Sequence, residues 1–101
     1  MSDIFSQIDK LVIELNQIAP PPMKAQGLQL PPDSIGKWFV AHVGSGFYAL
    51  RARFTLPNGT TVDGEPVREL IGLPQSLLAA LEFSVNLAKA HVYEWRRVAS
   101  R

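Results

Sequence analysis

Apolar residues recur at Ile4, Ile8, Leu11, Leu15 and Ile18, in alternating four- and three-residue steps that draw one stripe along a helix. The spacing predicts a helix over 1–19, with Ser2 or Asp3 as its cap. Phe5, Val12 and Ile13 widen the apolar arc beyond what one neighbour covers, so they are candidates for contact with a second chain. Pro20, Pro21 and Pro22 end the helix, because none has an amide donor and Pro20 biases Ala19 away from helical angles. Residues 20–36 read as a proline-rich connector; PxxP spacing is missing around the triple proline, which favours a stiff spacer over a ligand for proline-binding grooves.

From residue 37 the period drops to two. A turn at Gly44, Ser45 and Gly46, with Gly46 left-handed, places Val43 opposite Phe47, His42 opposite Tyr48, Val40 opposite Leu50 and Trp38 opposite Ala52. One face then carries Trp38, Val40, His42, Tyr48, Leu50, Ala52 and Phe54. The other carries Lys37, Phe39, Ala41, Val43, Phe47, Ala49, Arg51 and Arg53. A second turn, at Leu56-Pro57-Asn58-Gly59-Thr60, sets Phe54 opposite Val62 and Arg53 opposite Asp63, with Arg51 near Glu65. Three antiparallel strands therefore occupy 37–65. Gly44, Gly46 and Ala49 also fit the G-x-G-x-x-A spacing of dinucleotide cradles, which would make 47–56 a helix with Asp63 or Glu65 on a ribose. Pro57 would cut that helix short, and the chain has no room for repeated parallel units, so the hairpin is the better reading.

Residues 66–72 suit a short helical turn with Gly72 as its stop, or an extension of the third strand; the turn is preferred. A long helix over 74–98 follows, its stripe of Leu78, Leu81, Val85, Ala88, Val92 and Trp95 lying on the apolar sheet face. Leu77, Phe83 and Leu87 form a second edge that the same surface would not cover. The expected fold is α+β: N-terminal helix, three-stranded antiparallel meander, and a C-terminal helix packed on one sheet face.

Length narrows this to a single domain over 1–101. Apolar residues make up 47% of the chain and charged residues 19%, an apolar balance for so small a body that suggests a surface covered by another chain, most simply in a homodimer. The net charge of +1 gives no overall pull toward nucleic acid or acidic membrane. Absence of cysteine excludes thiol chemistry and thiolate metal sites. With no membrane-length apolar run and no leader pattern at the start, a cytoplasmic protein is expected.

No constellation demands catalysis, a metal or a cofactor. His42 and His91 are the ordinary neutral-pH titrators, and His42 beside Tyr48 is the candidate centre for a ligand or an enzyme site. Ser45, His42 and Asp63 could form a nucleophile, base and orienter, but Ser45 sits on a turn tip without the nucleophile-elbow spacing. The element order is analogous to that of double-stranded-RNA-binding domains, yet 73–88 lacks the basic cluster those domains place at their last helix. A sheet platform of Lys37, Arg51 and Arg53 with Phe39 and Phe47 is the alternative for single strands, with Asp63 and Glu65 partly neutralising it. The leading expectation is a non-catalytic protein-interaction or assembly module. Its candidate contact residues are Phe5, Val12, Ile13, Leu77, Phe83 and Leu87 on the helices and Phe39, Val43 and Phe47 on the outer sheet face.

Overall fold

The computed structural model describes residues 3–22 and 29–99. Residues 1–2, with the expected cap Ser2, residues 23–28 of the connector and residues 100–101 lie outside the described residues. Helix α1 spans Ile4–Ile18, and the Asp3 carboxylate accepts the Ser6 amide at 2.8 Å, satisfying one of the donors that a helix start leaves free. It stops at Ala19, which leaves helical angles at φ −146° and ψ 72° just before Pro20.

Strand β1 (Ile35–Gly44) begins two residues earlier than the spacing predicts and pairs antiparallel with β2 (Phe47–Thr55). The register runs from Ile35↔Thr55 through Trp38↔Ala52 to His42↔Tyr48, as the alternation requires. The turn itself differs from expectation. Ser45 and Gly46 both have positive φ, at 53° and 78°, giving a two-residue connection in place of three. Gly44, at φ 104°, faces Phe47, and Val43 is the extra residue of a β-bulge. The shorter loop and the extra strand residue cancel, which is why every pair beyond them stays in step.

At the second turn Leu56 N–H donates to the Thr60 carbonyl at 2.8 Å and Gly59 takes φ 86°. Strand β3 (Thr61–Asp63) then pairs Phe54↔Val62 and Arg53↔Asp63. The chain continues along the same edge of β2. Gly64 N–H reaches the Ala52 carbonyl and Val67 N–H the Leu50 carbonyl, a single 3-10 turn occupies Arg68–Leu70, and β4 (Ile71–Gly72) closes on Tyr48 and Ala49. The sheet thus has four strands, because 66–72 forms both the turn and the strand extension that the sequence offered as alternatives.

The C-terminal helix is two helices, α2 (Pro74–Ala90) and α3 (Val92–Ala99). His91 leaves helical angles, at φ −147° and ψ 83°, although neither glycine nor proline is near. The break swings Trp95 into the core, edge-on to Trp38 with ring centroids 6.0 Å apart. Tertiary packing therefore overrides a locally continuous helical pattern.

Both long helices lie over one sheet face. They bury Trp38, Leu50, Ala52 and Phe54 beneath Ile8, Val12 and Leu15 of α1 and Leu77, Leu81, Val85 and Ala88 of α2. Fully burying one such side chain contributes about 1.5–3 kcal/mol before ordering costs. Val12 and Leu77 are thus core residues, correcting their assignment to an exposed helix edge; Leu77 takes the place on the stripe that was expected for Leu78. Asn16 fastens α1 to the sheet, accepting the Trp38 amide at 2.7 Å and donating to the Trp38 carbonyl at 3.1 Å. The Trp38 indole donates to the Ala19 carbonyl at 2.8 Å, and Lys89 pairs with Glu14 between the helices. No described helix is long and apolar enough to cross a membrane.

Candidate functional site

The second face of the sheet has no helix layer. Its cross-strand rows follow from the register: Lys37, Arg53 and Asp63; then Phe39 and Arg51; then Ala41, Ala49 and Ile71; then Val43 with Gly44 against Phe47. Charge and apolar surface separate along the strands. One end is ionic and the other, nearer the Ser45 turn, is apolar.

At the ionic end Arg53 grips Asp63 with two bonds, Nε to Oδ1 at 2.7 Å and a second guanidinium nitrogen to Oδ2 at 3.1 Å. The same guanidinium lies over the Phe39 ring, 4.3 Å from its centroid. Arg51 donates from Nε to the Gly64 carbonyl at 2.8 Å. The hydrogen bond from Arg53 holds the Asp63 carboxyl below the usual carboxylate range, and the Arg53 and Arg51 charges add to this against a smaller opposing effect of burial. Arg53 is correspondingly held above its ordinary value, first by the same bond. Both arginines expected for a nucleic-acid platform are therefore engaged within the chain.

At the apolar end Ala41 and Ala49 sit side by side, and Ala49 is fully buried although no layer covers it. Phe39 and Arg51 form the next cross-strand row, Phe47 precedes Ala49 on the same face of β2, and Ile71 pairs with Ala49. Val43, Phe47 and Ile71 remain 43–47% exposed at this end of the sheet. Leu73, also exposed, follows β4, and a Cβ at Gly46 would meet its Cδ2 at 3.9 Å. Phe39 and Phe47 share this face as the alternation implies, whereas Val43, expected opposite Phe47, is displaced by the bulge and Gly44 takes that pairing. Ile71 is the exposed apolar residue that sequence reasoning missed; the two-step rhythm of Glu69, Ile71 and Leu73 against buried Leu70 and Gly72 is the signal that could have found it.

The helical candidates do not converge. Phe5 is partly exposed and meets Tyr48 edge-on at 5.2 Å between centroids. Ile13 borders a hollow between α1 and the β1 edge, with Asp9, Asn16 and Lys37. Phe83 and Leu87 border a different hollow, between α2 and α3. His42 is exposed, its ring tilted against Tyr48 at 5.0 Å. Ser45 occupies the turn tip, and Asp63 lies across from Arg53, five residues along β2 from Tyr48, or about 17 Å at ~3.4 Å per residue. Ser45, His42 and Asp63 are therefore not one constellation. Residues 47–55 are strand, so Gly44 and Gly46 precede no helix and make no phosphate cradle. Among the described residues no three histidine, aspartate or glutamate side chains gather as a metal site.

No protein-family model, no curated protein and no solved structure matches this chain.

Proposed function

We propose that this domain is a non-catalytic protein-interaction or assembly module that self-associates, as a dimer first, through the apolar end of its open sheet face. One observation carries the reading: Val43, Phe47 and Ile71 stand exposed near the Ala41 and Ala49 row on a face that no helix covers. Antiparallel sheets commonly leave one face to solvent, but such a face is then lined with polar residues. Here the polar residues are confined to the other end. Apolar residues beside small ones allow close approach of a second sheet, and burial of apolar area supplies the drive at ~25 cal/mol per Å² before association costs.

The ionic end gives the contact its limit. Asp63 and Arg53 satisfy each other on the same face, so a partner need only cover the apolar half. A cytoplasmic setting belongs to this reading and rests on the absence of cysteine. Nucleic acid is the weaker reading, since Arg51 and Arg53 already have partners.

Sedimentation velocity tests the proposal. The expected result is a concentration-dependent dimer at tens of micromolar, reduced to monomer by Phe47→Glu with unchanged circular dichroism. Monomer alone throughout that range overturns self-association.

A further inference from the structure

The sheet has two edges, and one of them is blunted. On the far side of β2 the chain runs as β3, three residues long, and β4, two residues long, with Pro66 between them. Short, proline-interrupted edges resist pairing with another strand. Strand β1 is the opposite edge and is ten residues long. Its stretch Trp38-Phe39-Val40-Ala41-His42-Val43 holds no lysine, proline or carboxylate to discourage a partner.

The hydrogen bonds show which backbone groups face outward there. The Ala52 and Leu50 carbonyls accept from Gly64 and Val67, so the even-numbered residues of β2 point away from β1. Their opposites in the ladder, Trp38, Val40 and His42, then direct N–H and C=O to the free edge. Trp38 agrees, since both of its peptide groups bond the Asn16 amide. That side chain offers one donor and one acceptor, as a neighbouring strand would, and it closes the edge at Trp38. From there α1 crosses inward, until Phe5 meets Tyr48 of β2. The N–H and C=O of Val40 and His42 are left open, and no bond from another described residue takes them.

We infer that this open stretch of β1 pairs antiparallel with the same stretch of a second copy, about a two-fold axis at Ala41, to form one continuous sheet. Val40 of each copy faces His42 of the other, and each such pair exchanges two bonds. Ala41 meets Ala41 on the axis, where small side chains let the strands close. Length argues for a second copy over a foreign strand. In this register Trp38 falls opposite Gly44, the last residue of β1, so each copy turns away at Ser45 just where Asn16 bars further pairing. His42 of the other copy also comes beside Val40, at the hollow that Ile13, 59% exposed, borders with Val40. The contact uses the strand edge and leaves the open sheet face free, so it stands or falls independently of the face contact proposed above.

The test uses Phe47→Glu protein, in which the face contact is removed, and reads water exchange of the Val40 and His42 amides in ¹H–¹⁵N spectra. A contact of about four backbone bonds with little apolar area is weak, with a dissociation constant on the order of 0.1 mM. Both amides should therefore exchange about 4-fold more slowly at about 1 mM protein than at about 20 µM. His42→Pro removes one outward N–H where an edge strand tolerates proline, and should abolish the slowing at Val40. If that variant does not fold, Ala41→Lys sets like charges together on the axis and should do the same, and an equal mixture with Ala41→Glu should restore the slowing. Exchange of both amides that is unchanged between the two concentrations overturns the inference, as does slowing that persists in His42→Pro or Ala41→Lys. Wild-type protein that dimerises while both amides stay fast keeps the face contact and overturns the edge pairing; slowed amides in Phe47→Glu protein support the edge whatever becomes of the face.

Discussion

The two faces of β2 set the same residue type in opposite circumstances. Phe54 looks toward the helices and is 0% exposed, while Phe47, seven residues earlier on the other face, is 43% exposed. Around Phe54 every neighbour is fitted: Gly36 lies directly across the ladder, and a Cβ there would stand 2.9 Å from the ring. Around Phe47 lie a bulge, a two-residue turn and a sheet face that no helix covers. The inner face is finished by this chain alone. The outer face has apolar rows that only a second surface can remove from water, and the proposed self-association rests on that asymmetry.

The largest effect that would sharpen the contrast comes from truncating the two rings. Phe54→Ala is expected to cost about 3–5 kcal/mol, by the loss of buried surface and the cavity left in a close-packed site. Phe47→Ala, measured by urea denaturation below the concentration of association, should cost less than about 1 kcal/mol. Equal losses would mean that the outer ring is as deeply structural as the inner one.

Gly36→Ala comes next, at about 1–3 kcal/mol, because the added methyl must displace a ring that is closed in on all sides. Asn16→Ala follows at about 1–2 kcal/mol. It removes both side-chain bonds to the Trp38 peptide groups and leaves a part-buried strand edge unsatisfied. Thermal denaturation of each variant checks the order, and a neutral Asn16→Ala would show that α1 is held by its apolar stripe alone.

These core features were largely legible in the sequence, and the reason is physical. Period-two alternation through Trp38, Val40, Leu50 and Phe54, with glycine at both turns, leaves one register that keeps the apolar set together. Even the misjudged length of the first turn did no harm, since the bulge at Val43 restored the count. What escaped was decided by distant contacts. His91 interrupts a helix with no local breaker, for the sake of Trp95 against Trp38. Leu77 and Val12 looked surplus because the stripe was matched to a sheet alone, whereas α1 and α2 also cover each other. Of the outer-face site, Phe39 and Phe47 were visible in the alternation. Ile71 was not, because β4 is two residues long and follows a 3-10 turn. The Asn16 side chain standing in for a strand carries no sequence pattern at all.

Ile71→Lys addresses the outer face through the residue the pattern hid. A charge at this exposed position should leave stability within about 0.5 kcal/mol of wild type, as is usual for surface sites, while weakening association in sedimentation experiments. Loss of folding instead would place Ile71 among the residues that hold the sheet, and the contrast between the faces would break at β4.

The smallest effect lies at the ionic end, where the outer face is self-sufficient. Asp63 is held below its ordinary range chiefly by the bond from Arg53. A carboxyl with a depressed pKa binds fewer protons in the folded than in the unfolded chain, so its contribution is present above the unfolded value of about 3.9 and is lost as pH falls through the folded one. Stability should therefore decline on acidification below about pH 4, and Asp63→Asn should flatten part of that slope while changing little at pH 7. The effect is modest because the pair is solvent-exposed and screened, and 1 M salt should shrink it further. An acid slope identical in Asp63→Asn would mean that the ion pair orders the face without stabilising it, leaving the apolar rows as the outer face's only energetic asset.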